Sequence, residues 1–194
     1  MSQQFSKTRI LVECAILAAV AFVLSYLPSF SLPFGGSWSW FATVPILIAS
    51  MRHGWKWGVP TALVFSFTQL LLGIGNFSYL PNSVFPVLGS ALLDYIIAYT
   101  IIGFAGLIFR KFKNRILGIV FAVILTGIGR LASSVLSGIL IWGRPDDVTW
   151  TQNLPLYSLG YNALWCGPDV ALALVGVLVL ASIPALKLLP KKNA

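Results

Sequence analysis

The positive charges of this chain fall into alternate gaps between its hydrophobic runs, and that distribution constrains the fold more than any motif does. Lys7 and Arg9 precede the first run, and Arg52, His53 and Lys56 separate the second from the third. Arg110, Lys111, Lys113 and Arg115 separate the fourth from the fifth, and Lys187, Lys191 and Lys192 follow the sixth. The gaps near 30–38 and 75–84 carry none, and the gap near 143–154 has only Arg144, opposed by Asp146 and Asp147. Short loops rich in Lys and Arg stay on the cytoplasmic side of a membrane. The pattern predicts an all-α integral membrane protein with six transmembrane helices and both termini in the cytoplasm. Residues 1–194 form a single transmembrane domain in this reading.

Composition decides what the charge means. The chain is 58% hydrophobic and 9% charged, against about 25% charged in soluble domains. In a soluble protein a net charge of +8 would suggest nucleic acid; here the basic residues mark short loops, and no nucleic-acid partner is expected. The run Ile10 to Leu27 is followed by no small-x-small cleavage pattern, so it reads as a retained helix and not a signal peptide. Cys14 and Cys166 sit within apolar runs without CxxC pairing and read as small buried hydrophobes. There is no GxxxxGK[ST] loop, no HExxH, and His53 lies in a basic turn away from Ser134 and Ser137. No metal, cofactor or enzymatic constellation is expected.

The spans are placed at about 8–27, 41–51, 57–74, 84–109, 116–142 and 155–189, the last kinked at Gly167-Pro168. Residues 29–40, SFSLPFGGSWSW, are uncharged and rich in Gly, Ser and aromatics. Such a segment suits a dip into the membrane surface or a cover over a cavity.

Ionisable residues inside spans are expensive in lipid and point to function. Four occur: Glu13, Asp94, Arg130 and Asp169. With a rise of about 1.5 Å per residue, Asp94 falls roughly 15 Å below the outer face, Arg130 roughly 18 Å, Asn162 roughly 10 Å and Asp169 roughly 20 Å. Three helices thus bring polar groups to similar depth in the outer half, as an outward-facing pocket requires. An Asp94–Arg130 or Asp169–Arg130 pair that merely ties helices together is the alternative. Glu13 lies near the cytoplasmic surface, where it can snorkel or meet Arg9 at i−4, and reads as structural or partner-facing. Trp55, Trp57 and Trp150 suit an interfacial belt, whereas Tyr95 is too deep for one, and Trp142, Tyr157 and Asn162 lie close to the polar cluster. A carboxylate among aromatic rings suits a cationic or flat heteroaromatic solute. Ala15-xxx-Ala19, within a stripe that includes Ala18 and Ala21, allows close helix approach, either inside the protein or from a partner.

Taken together, LVECAILAAVAFVLSYLP, VPILIASMRHGWKWGV, LLDYIIAYTIIGFAGL and LYSLGYNA resemble the membrane substrate-binding (S) components of energy-coupling factor (ECF) transporters, most closely the thiamine-specific branch. The resemblance runs through nearly the whole chain in order. It implies the ECF S-component fold in the bacterial cell membrane, with a high-affinity thiamine site near the outer surface capped by the loop after span one. It also implies a transmembrane coupling protein and two cytoplasmic ATPase subunits as partners, with Ala15 and Ala19 at the coupling surface. The residues implied for ligand binding are Asp94, Tyr95, Arg130, Trp142, Tyr157 and Asn162, with Trp38 or Trp40, here Trp40, supplying the cap's aromatic ring. Ser134 occupies the position where many members carry a His, and Asp94 is one methylene shorter than the Glu of some relatives. Another heterocyclic vitamin, or a stand-alone ion-coupled carrier using Asp94 or Asp169, are the alternative functions.

Overall fold

The computed structural model describes residues 6–27, 30–32, 36–81, 83–143, 151–183 and 189. Arg144, Asp146, Asp147, Trp150, Lys187, Lys191 and Lys192 lie outside the described residues.

Helix α1 spans Lys7–Ser25 and starts where the Ser6 side chain accepts a hydrogen bond from the Arg9 amide. A two-stranded antiparallel hairpin follows, β1 Phe30–Ser31 with β2 Ser37–Trp38, in the register Phe30 opposite Trp38. Phe41 takes a left-handed φ of 58° where the chain turns into α2, a conformation rare outside glycine. Helix α2 is Val44–His53, and Gly54 at φ 91° makes the turn into α3, Trp55–Leu72. A 3-10 turn, Ile74–Tyr79, leads to α4, Val84–Lys111. Helix α5 is Arg115–Trp142, N-capped by Asn114, and α6 is Leu154–Ser182, N-capped by Asn153.

Helices α1, α4, α5 and α6 are long and apolar enough to cross a membrane. Helix α2, at 10 residues, covers about 15 Å of the roughly 30 Å hydrocarbon layer. It forms the centre of the bundle: residues 42–51 are buried throughout, which matches its near-continuous apolar sequence. α6 continues as a helix through Pro168, as α3 does through Pro60.

Two long helices are not regular. Helix α4 widens to a π-helix at Ala91–Ile97 and tightens to a 3-10 turn at Ile101–Phe104, and α5 ends in a π-helix at Gly138–Trp142. Backbone groups displaced from α-helical bonding need partners where water is absent. Serines supply them. Ser50 Oγ donates to the Gly103 carbonyl and accepts from the Gly106 amide, Ser133 Oγ donates to the Leu93 carbonyl at 2.6 Å, and Ser158 Oγ donates to the Val135 carbonyl at 2.9 Å. Gly106 lets α4 press against the Ser50 backbone, at a spacing that a Cβ would violate.

At one end of the bundle Glu13 meets Arg52 Nε at 2.7 Å and His53 Nε2 at 3.2 Å. Glu13, read from sequence as structural or partner-facing, thus ties α1 to α2. The Arg110 guanidinium lies over Gly54 at the same end, so charges from two basic gaps gather there beside Glu13.

Candidate ligand-binding cavity

A cavity of about 540 Å³ opens at the opposite end, between the hairpin and helices α1, α3, α4, α5 and α6. Its size falls within the small-molecule range of about 300–1,000 Å³. Among the residues lining it, Asp94 is the one with a charged side chain.

Both π-helical segments face this space, and the widened turns carry Asp94 and Trp142. Widened turns in helices recur at functional sites because they re-aim side chains. Here they allow Trp142 Nε1 to donate to Asp94 Oδ2 at 2.9 Å, while Ser90 Oγ and Ser137 Oγ donate to the same oxygen at 2.6 Å each. Three donors hold the carboxylate in one orientation. Its second oxygen, Oδ1, receives no hydrogen bond among the described residues.

Tyr95 lines the cavity beside Asp94. Its hydroxyl accepts from Asn76 Nδ2 at 3.2 Å and donates to the Gly73 carbonyl at 3.3 Å, so the 3-10 turn is fastened to α4. Ser134 also lines the cavity and is 2% exposed, and its hydroxyl has no hydrogen-bond partner among the described residues. A buried hydroxyl left unpaired costs about 1–3 kcal/mol, so Ser134 is a position at which a ligand group recovers a lost bond. Tyr157 lines the opposite wall with its ring stacked on Tyr161, centroids 6.1 Å apart. Asn162 lines the cavity too, yet its amide is turned to protein groups: Nδ2 donates to the Ser158 carbonyl at 2.8 Å and Oδ1 accepts from Trp165 Nε1 at 3.2 Å. Its place is that of a bracket for Trp165 as much as a ligand contact.

Six of the sequence-predicted site residues therefore meet in one cavity: Asp94, Tyr95, Ser134, Trp142, Tyr157 and Asn162. Trp40 and Arg130 do not line it. Trp40 is 42% exposed and leans on Trp38 at 5.3 Å, while its neighbours Ser37 and Ser39 face the cavity. Arg130 is 4% exposed and forms an ion pair with Asp169, its guanidinium set behind the rings of Tyr99 and Trp165 at 4.3 and 4.8 Å. Of the two ion pairs weighed from sequence, the Asp169–Arg130 one forms.

Sequence reasoning missed Ser25, Gln69, Asn76, Tyr99 and Trp165, which all line the cavity. Gln69 carried a signal, as a lone amide in an apolar span; its Nε2 donates to Ser25 Oγ at 2.8 Å. The Tyr161 hydroxyl accepts the Gly36 amide at 3.0 Å and ties the hairpin to α6. A Cβ at Gly36 would collide with Tyr161 and Trp165.

On the α1 stripe, Ala18 and Ala21 are buried, whereas Ala15 and Ala19 are exposed together with Leu11, Val12, Ile16, Val20 and Val23. The two halves of the stripe have different surroundings: one packs inside, the other does not.

The chain is similar to known proteins along nearly its full length. Residues 11–188 match the profile of the thiamine transporter protein family (Thia_YuaJ). The chain is 31% identical to the thiamine transporter ThiT of Bacillus subtilis over 198 residues, covering 95% of each protein. It is 29% identical to the thiamine transporter ThiT of Lacticaseibacillus paracasei, covering 91% of this chain and 90% of that one. A solved structure of ThiT from Listeria monocytogenes superposes with a TM-score of 0.71 at 25% identity, over 95% of this chain and 99% of the other. Neither the family nor these relatives favour a stand-alone ion-coupled carrier. The match along nearly the full length makes this chain a multi-pass bacterial membrane protein that belongs to the thiamine transporter protein family.

Proposed function

We propose that this protein is the thiamine-binding S component of an ECF-type importer, which captures the vitamin from outside and delivers it with a coupling protein and two ATPase subunits. The observation that carries the proposal is Asp94: a single carboxylate in an aromatic cavity, with one oxygen fixed by three donors and the other without a donor among the described residues. Thiamine presents a permanent thiazolium cation and a flat aminopyrimidine. The carboxylate neutralises the first, and the rings of Tyr95, Trp142 and Tyr157 supply faces for both. Ser134 and Asn162 offer hydrogen bonds, and Trp40 and Arg130 act from outside the lining. The single domain crosses the membrane six times with both termini in the cytoplasm. In support, the basic gaps around Arg52 and Arg110 meet at the end of the bundle opposite the cavity, in line with the side on which Lys and Arg are retained. The exposed Ala15–Ala19 face is the docking surface for the coupling protein.

The test is a thiamine titration of the purified protein in detergent without ATP, followed by tryptophan fluorescence, since Trp142 and Trp165 line the cavity. Saturable quenching at nanomolar-class thiamine is the expected result. Silence towards thiamine with a response to another heterocyclic vitamin would keep the transporter class and replace the substrate.

A further inference from the structure

Tyr99 carries a proton that no group among the described residues accepts. Its hydroxyl oxygen accepts from Arg130 Nη2 at 2.9 Å, and no acceptor among the described residues receives its own O–H. The ring is held on two sides, edge-on by Phe65 with centroids 5.4 Å apart and on its face by the Arg130 guanidinium at 4.3 Å. Arg130 is in turn fixed by its ion pair with Asp169 and by Trp165, whose indole N–H is held by Asn162. Tyr99 lines the cavity and Arg130 does not.

A hydroxyl whose oxygen accepts from a guanidinium is polarised, which strengthens the bond it donates onward. A donor without a protein acceptor gains a bond when a ligand supplies one, and half-buried Tyr99 lines the cavity where a ligand would sit. We infer that Tyr99 is a ligand-binding residue that donates its O–H to an unprotonated ring nitrogen of the bound heterocycle, and that Arg130 and Asp169 are positioning residues acting on the ligand through Tyr99. The inference rests on thiamine being the ligand, whose aminopyrimidine offers two such nitrogens. It complements Asp94: the charged oxygen faces the cationic ring and the polarised hydroxyl faces the neutral one. It also explains how a buried Arg is compatible with a cationic ligand. Asp169 cancels its charge, and the Tyr99 and Trp165 rings stand between it and the cavity.

Thiamine titrations of the full-length protein, with analogues in which N1′ or N3′ is replaced by C–H, test this. Tyr99→Phe is expected to weaken thiamine by about 10- to 100-fold, the range of a charge-assisted hydrogen bond. One of the two analogues should bind the unaltered protein that much more weakly and be indifferent to Tyr99→Phe, a pattern that a merely structural Tyr99 would not produce. Replacing the ion pair as a unit, Arg130→Met with Asp169→Leu, leaves no lone buried charge. It should weaken thiamine several-fold in the presence of Tyr99 and by less than twofold on top of Tyr99→Phe. Tight thiamine binding unchanged by Tyr99→Phe overturns the inference while leaving the proposed function intact; so does an equal loss for both analogues on making Tyr99→Phe. If that variant fails to fold, the analogues on the unaltered protein decide: both binding as tightly as thiamine overturns the contact. No thiamine binding by the unaltered protein overturns the proposed function and this contact with it.

Discussion

Replacing Asp94 by Asn exchanges one carboxylate oxygen for an NH2 group and reverses the polarity that the cavity shows to a ligand. Trp142 Nε1 can only donate and sits 2.9 Å from Oδ2, beside the hydroxyls of Ser90 and Ser137. The amide oxygen must therefore take the Oδ2 position, which leaves the NH2 group where Oδ1 stood. A negative acceptor becomes a neutral donor facing a cation. Two unit charges about 4 Å apart at an effective dielectric constant of about 20 attract by about 4 kcal/mol. Loss of the cation's own hydration offsets part of that, and hydrogen bonds to charged groups are worth about 1.5–3 kcal/mol. A net loss of about 2–3 kcal/mol follows, or about 30- to 150-fold in Kd. Because all three donors keep an acceptor, the ligand-free protein should melt within a few degrees of the unaltered one. Tryptophan fluorescence titration gives the Kd and a thermal scan gives the control. An Asp94→Asn protein that binds thiamine within threefold of the unaltered one refutes the electrostatic role. A melting point far below the unaltered one shows that Asp94 is structural instead.

Three further outcomes are expected. Tyr161→Phe removes the acceptor of the Gly36 amide; at about 1 kcal/mol for one bond, thiamine release in stopped-flow should speed up about fivefold, and an unchanged off-rate would separate the hairpin from ligand retention. Ala15→Trp with Ala19→Trp alters an exposed face, so binding in detergent should stay within twofold while ATP-dependent uptake in cells is lost; persistent uptake would place the partner surface elsewhere. Gly106→Ala drives a Cβ into the Ser50 carbonyl and should cost about 1–3 kcal/mol by overpacking, read as a lower melting temperature, whereas unchanged melting would mean that α2 and α4 have slack.

The ends of most helices and the places of the polar residues along them were legible in the sequence because both follow from one-dimensional rules. The run from Val84 to Lys111 had the length of a span, and Asp94 stood a fixed rise below its start. What was not legible is everything that depends on irregular backbone. Nothing in ALLDYII or GILIW announces a π-turn, yet those turns bring Trp142 onto Asp94. Arg130 and Asp169 were each visible as costly residues in lipid, but their pairing depends on how α5 and α6 rotate against each other. Rotation is fixed by small contacts such as Gly127 against Val170, which no periodicity reveals. Trp40 illustrates the same limit in the hairpin, where alternation puts Ser37 and Ser39 towards the cavity.

Helix α1 is fastened at two points. Near its start Glu13 is tied to Arg52 and His53, and in its last turn Ser25 is both a cavity wall and the acceptor of Gln69 Nε2. Ala15 and Ser25 are ten residues apart, about 15 Å along an unbroken helix. A force applied to the exposed side of α1 thus reaches the cavity as a displacement of a lever's far end, with no relay of side chains between the two. Tilting that rod would drag the Glu13 anchor and the Ser25 wall in opposite directions. The mouth of the cavity and the Glu13 end of α1 are two points on one stiff body, and neither moves alone.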